Sequence, residues 1–194
     1  MNYLAHLYLA DPEPDAWIGN LMGDFVKGPL PDSLPPALQQ GIRLHRAVDH
    51  YTDQHPVFRH SKRRISPAYR RYAGILIDMF YDHLLAVSWS QYSQQSLRQF
   101  TTEVYAVLQR NQAQLPPRMQ GSVSYMLAND LLHTYQQSSG IARALQGIER
   151  RLSRPSDLGQ AITELHTNYS GLEDDFHDFF PQLRAHVAKL KQRL

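Results

Sequence analysis

Cysteine is missing from this 194-residue chain, which excludes disulfides, iron–sulfur clusters and thiolate zinc sites and suits a reducing compartment. Strand signals are scarce: runs of Val, Ile and Thr are few, strict alternation is rare, and no Asn-Gly hairpin turn occurs. No uncharged run approaches the roughly 18 residues that a membrane span needs. The opening MNYLAHLYLADPEPD lacks the basic leader and the length of a signal peptide. A soluble, cytoplasmic protein without a membrane span is the expectation. Also lacking are a G-x-S-x-G elbow, a P-loop, a G-x-G-x-x-G loop and an H-E-x-x-H pair, so the common catalytic templates are unsupported.

Negative charge is missing locally. From Gln54 to Ile77 there is no acidic residue, while Arg59, Lys62, Arg63, Arg64, Arg70 and Arg71 all fall there. A second basic group, Lys189, Lys191 and Arg193, ends the chain, although the net charge is only +2. Such a stretch is either a solvated helical surface or a docking patch for an acidic partner. No nucleic-acid reading module accompanies it, so a nucleic-acid partner is not expected.

What is present is ordinary globular material, 42% hydrophobic and 20% charged. The length fits one domain, residues 1–194, with a sizeable core. Apolar residues recur at three- and four-residue intervals through 36–55, 68–88, 95–114, 118–136, 157–169 and 172–193. Gly28-Pro29-Leu30-Pro31, Pro35-Pro36, Pro56, Ser66-Pro67, Pro116-Pro117, Ser138-Ser139-Gly140 and Pro155 punctuate them. Ser66-Pro67 and Ser156-Asp157 read as helix starts. The fold class expected is all-α: a single compact multi-helix domain of about seven to nine helices.

Residues suited to hold a divalent metal concentrate before position 84. His6 lies in the apolar start, and Asp24 in GNLMGDFVKG. In GIRLHRAVDHYTDQHP, His45, Asp49 and Asp53 stand four apart, so they share one helix face with a drift of about 40° per step. In GILIDMFYDHLLA, Asp78 and Asp82 repeat that spacing beside His83, on a helix apolar nearly all round. Unpaired carboxylates buried there would cost several kcal/mol, so they demand cations or hydrogen-bond donors. Each residue has a structural alternative. His6 can be a satisfied core histidine, Asp24 a cap, Asp53 a solvated carboxylate at a helix end, and Asp78 an ion pair with Arg46 or Arg43. Together they form a mixed imidazole and carboxylate set that suits manganese, magnesium, iron or zinc more than calcium.

The blocks MNYLAHLYLA, GNLMGDFVKG, GIRLHRAVDHYTDQHP and GILIDMFYDHLLA resemble, in that order and spacing, the acyl carrier protein phosphodiesterases, also called acyl carrier protein hydrolases. The resemblance covers residues 1–86, a motif-bearing half, with 87–194 left as supporting helices. It implies an HD-like helical fold related to metal-dependent phosphohydrolases of the HD type. It further implies hydrolysis of the phosphodiester joining 4′-phosphopantetheine to a serine of holo-acyl carrier protein, with manganese, or else magnesium, as cofactor. The chain departs from the HD pattern, which joins a His-Asp dipeptide to a further His and Asp. These blocks hold no His-Asp dipeptide, only reversed pairs such as Asp82-His83, and the one His-Asp dipeptide, His177-Asp178, reads as surface.

On this resemblance the expected metal ligands are His6, Asp24, His45, Asp49 and Asp82. Asp24, Asp53, Asp78 and His83 are expected to orient ligands or move protons. Arg46 would reach the phosphate or anchor Asp78. The partner would be a small acidic carrier protein, docked by Arg63, Arg64, Arg70 and Arg71. The competing expectations are an HD-type hydrolase of nucleotides or other small phosphoesters, and a non-catalytic helical adaptor for an acidic protein.

Overall fold

The two central motif helices owe their limits to proline and histidine. The computed structural model describes residues 1–152 and 156–192; Pro155 and Arg193 lie outside them. The chain begins with α1 (Tyr3–Leu9), whose N-cap Asn2 accepts from the Tyr3 amide, and α2 (Pro14–Met22). α3 (Pro36–Gln54) and α4 (Pro56–Arg64) each begin with proline at the first helical position, where no N–H is needed. His55 joins them: it closes α3, and its side chain accepts from the Val57 amide at 3.3 Å to start α4.

A 3-10 turn, Pro67–Tyr72, leads into α5 (Ala73–Val87), followed by α6 (Trp89–Tyr92) and α7 (Leu97–Asn111). α7 carries a reciprocal capping pair, Ser96 with Gln99. Then come α8 (Pro117–Ala128), α9 (Leu131–Thr134), α10 (Ser138–Glu149) and the thirty-residue α11 (Ile162–Lys191). Among the described residues no strand occurs, and nine of these eleven helices have seven residues or more. The all-α expectation is met.

Several boundaries differ from the periodic reading. The expected 118–136 helix is cut at Asp130, which adopts a left-handed conformation at φ 46°. The segments 157–169 and 172–193 instead merge into α11, which follows a 3-10 turn at Leu158–Ala161 and runs through Gly171. That glycine leaves the space taken by the Arg64 guanidinium. Ser138-Ser139-Gly140 is not a break but the first turn of α10. Pro67 does open a helical turn, but Ser66 makes no side-chain cap.

α5 is the axis of the fold, touching α1, α4, α10 and α11. From Leu76 to Ala86 every residue except Asp78 is buried, as an apolar circumference requires. Tyr81 packs against Phe58 of α4 and against Phe176 and Phe179 of α11. One hydrophobic cluster runs from Met1 to Val187. Among the described residues no helix is long and apolar enough to cross a membrane.

Candidate metal centre

α2 and α3 approach backbone to backbone. A Cβ on Gly41 would lie 2.7 Å from the Asn20 nitrogen, and one on Gly19 would lie 2.6 Å from the Leu38 oxygen. This contact sets the residues that follow α2 against α3. A third glycine, Gly23, leaves the room into which the His45 ring fits; a Cβ there would overlap the ring. Asp24 follows directly. The local sequence GNLMGD therefore positions both a carboxylate and the space for its imidazole neighbour.

His6 of α1 and His45 of α3 stack face to face, with centroids 3.9 Å apart and planes 17° from parallel. Asp49 lies across both edges: its Oδ1 is 3.1 Å from His6 Nε2 and its Oδ2 is 3.1 Å from His45 Nε2. Asp24 Oδ1 is 3.6 Å from the same His45 nitrogen. The rings are buried, yet Asp24 and Asp49 keep 47% and 43% of their side chains exposed, so the cluster opens to solvent on its carboxylate side. One nitrogen of each ring, His6 Nδ1 and His45 Nδ1, is buried with no protein partner. His6, His45 and Asp49 each offer a ligand atom within 4.8 Å of one another. Two imidazole nitrogens and a carboxylate fit a borderline divalent cation.

The electrostatics supply a second test of fit. Burial, and then the neighbouring His45 charge, push the His6 pKa down to about 4. Burial also opposes charge on His45, but the Asp24 and Asp49 carboxylates outweigh it and raise the pKa to about 9. Asp49 is desolvated too, yet hydrogen bonds from both histidines hold it well below the usual carboxylate range. Asp24 is likewise lowered, burial losing to the His45 hydrogen bond. The cluster is thus built to keep one positive charge between two carboxylates, held here by a proton on His45. A divalent cation would take over that role.

The α5 carboxylates have other work. Asp78 Oδ1 is 2.6 Å from the Met1 ammonium, so neither Arg46 nor Arg43 is its partner. Asp82 is fully buried and accepts from the Leu4 amide at 2.7 Å, the Asn2 amide at 3.2 Å and the Ala5 amide at 3.3 Å. It caps α1 from another helix. Burial still exceeds these donors and lifts its pKa to about 7. Asp82 therefore does not join the His6, His45 and Asp49 group: both of its oxygens are taken by backbone amides.

His83 is a satisfied core histidine, its Nδ1–H donating to the Tyr135 carbonyl at 2.7 Å while its Nε2 lies 3.4 Å from the Tyr169 hydroxyl. Arg46 donates to the Val26 carbonyl at 2.8 Å and so anchors the loop beyond Asp24. Asp53 is exposed on the next turn of α3. His177 meets the Tyr92 hydroxyl at 3.0 Å, half-buried rather than on the surface, while Asp178 is exposed.

The basic stretch divides. Arg63, Arg70 and Arg71 are exposed. Arg64 instead grips Asp175 of α11, Nε to Oδ2 at 2.8 Å and Nη2 to Oδ1 at 3.3 Å, and Ser61 donates to that same Oδ2 at 2.7 Å. A segment free of acids in sequence is not free of them in space. Gly23, Asp175 and the amide cap on Asp82 escaped the sequence reading; the glycine directly before Asp24 was the only local signal for any of them.

The family model described as "Acyl carrier protein phosphodiesterase" matches residues 1–183. A protein of Serratia proteamaculans (strain 568) bearing that name is 36% identical over 193 residues, covering 99% of this chain and 100% of that protein. One from Enterobacter sp. (strain 638) is 33% identical with the same coverage. One from Escherichia coli O157:H7 is 32% identical over 190 residues, covering 97% of this chain and 98% of its own length. No solved structure matches the chain.

Proposed function

This chain belongs to the acyl carrier protein phosphodiesterase family, and we propose from that premise that its His6, His45 and Asp49 hold a divalent cation for phosphodiester hydrolysis. The bond cleaved joins 4′-phosphopantetheine to a serine of holo-acyl carrier protein. The observation that carries this is a pair of stacked histidines sharing one half-exposed carboxylate, each with a ring nitrogen left without a protein partner. The two nitrogen donors favour manganese over magnesium. Kinship with the HD-type hydrolases belongs to this proposal as well.

An alkyl phosphodiester is an anion with a poor leaving group. A bound cation offsets that charge and brings the pKa of its water toward neutrality. The protein supplies the rest. Asp49 fixes both imidazole planes, and the space at Gly23 sets the His45 ring. Asp24, ionised and open to solvent, is placed to take a proton from the water that attacks phosphorus. As the phosphorus–serine oxygen bond breaks, that proton balances the departing alkoxide. The products are apo-carrier protein and 4′-phosphopantetheine. Asp82, Asp78 and His83 act one layer out, holding α1 and α5 so that His6 faces His45.

Incubation of the chain with holo-carrier protein and manganese, followed by intact-mass measurement, is expected to show loss of the phosphopantetheine mass. Retention of that mass with metal bound would overturn the reaction. Absence of both metal uptake and a thermal shift on adding manganese would leave the cluster as an internal ion-pair network.

Arg63, Arg70 and Arg71 are the exposed cations of the expected docking face, and Arg64 is excluded from it by Asp175. Reversing Arg70 and Arg71 is expected to lower kcat/KM and flatten its salt dependence with kcat retained. Unchanged slopes would remove the docking role.

A further inference from the structure

A second feature opens beside α1. A cavity of about 470 Å³ lies among α1, α5, α8 and α10, within the size range of ligand sites. Its walls are largely apolar. Tyr3 and Tyr125 line it, and Tyr125 is one of two large hydrophobic residues that stay well exposed among the described residues. Three cations, Arg118, Arg150 and Arg151, also line it, all exposed, and no acidic residue appears among the described lining residues. Nothing within 4 Å would meet a Cβ on Gly121, so one wall is open.

The cavity and the metal centre share α1, whose Tyr3 lines the one and whose His6 belongs to the other. Tyr3 precedes His6 by three residues on α1, about 4.5 Å along the axis. Burial and then the Asp24 carboxylate raise the pKa of its phenol, and the Arg151 guanidinium opposes that rise. A ligand that reached from Asp24 past Tyr3 would be long and narrow, with an apolar body and polar groups along it. It would also arrive attached to something acidic, given exposed guanidinium groups that meet no carboxylate among the described residues.

We propose that this cavity receives the pantetheine arm of the carrier protein, while its phosphate lies at the His6, His45 and Asp49 centre and Arg118, Arg150 and Arg151 face the acidic carrier surface. The inference rests on the phosphodiesterase reading for the placement of the phosphate. Pantetheine, with methylenes, geminal methyls and two amides, matches an apolar wall edged by phenol, hydroxyl and guanidinium donors. The arm would thus be recognised apart from the bond that is cut, and this would separate carrier protein from other phosphodiesters.

Pantetheine, which lacks the phosphate, is titrated into the chain without metal, and binding is followed by calorimetry. Saturable binding is expected for the natural chain and should weaken about tenfold or more in Gly121→Trp, where an indole occupies the open wall. Gly147→Trp, on the α10 side, provides a second filler should the first fail to fold. In the holoenzyme with manganese, the ratio of kcat/KM for holo-carrier protein to that for bis(p-nitrophenyl) phosphate is expected to fall by a similar factor in the folded variant. No pantetheine binding by the natural chain, or equal binding by the filled variant, overturns the cavity assignment. If holo-carrier protein is not cleaved at all but pantetheine binds and the filler abolishes it, the phosphodiesterase reading fails and the cavity assignment stands.

Discussion

Two helices carry ionisable residues at the same spacing and use them in opposite ways. On α3, His45 and Asp49 stand four apart and meet His6 across an opening to solvent. On α5, Asp78 and Asp82 also stand four apart, yet Asp82 is fully buried and spent on three backbone amides, while Asp78 meets the Met1 ammonium. Spacing alone cannot separate these fates. Access can: a carboxylate that keeps part of its surface in water is able to exchange its partner for an ion. One sealed against a helix end is committed, because removing its donors would strand charge in an apolar interior.

The comparison breaks most sharply under truncation. Asp49→Ala is expected to remove manganese binding and to lower kcat/KM by roughly a thousandfold, about 4 kcal/mol, with a smaller loss of stability as both imidazoles lose their partner. Asp82→Ala should do the reverse. Three α1 amides lose their acceptor, and unfolding by denaturant should show a loss of about 2–3 kcal/mol, with activity falling only as far as α1 detaches. If Asp82→Ala kept its stability and lost its metal, the two pairs would have been assigned the wrong way round.

A gentler test uses pH. His45 must be deprotonated to bind a cation, and its pKa stands at about 9 in the metal-free chain. Below that value the proton competes, so apparent manganese affinity should fall about tenfold, or 1.4 kcal/mol, per pH unit lowered from 9 to 7. Calorimetry in buffers of different ionisation enthalpy should register a released proton. The α5 pair predicts a different signature. Since the Asp82 pKa is raised to about 7, its contribution to folding is present below pH 4 and is lost as pH rises through 7, whether or not metal is added.

The resemblance in residues 1–86 led to the family, and the periodicity led to the fold class. Within the candidate site, His6, His45 and Asp49 each carried a local signal: an imidazole in the apolar start, and a His and an Asp four apart on one helix face. Asp82 was equally conspicuous for the same reason and was assigned to the metal. Nothing local distinguishes a carboxylate that caps another helix from one that binds an ion. Arg64 went astray in the same manner: its neutralising partner, Asp175, lies 111 residues away.

The sequence by itself determined a helical chain, its proline-initiated helices, and which residue types could serve a divalent cation. Helix formation and apolar periodicity are governed by neighbours within a few positions, so these properties are readable along one dimension. Only the tertiary structure decided which imidazoles stack, which carboxylate they share, and which acids are consumed by a helix end or an arginine. Those outcomes depend on desolvation and on donors brought in from distant helices, and both exist only once the chain has closed on itself.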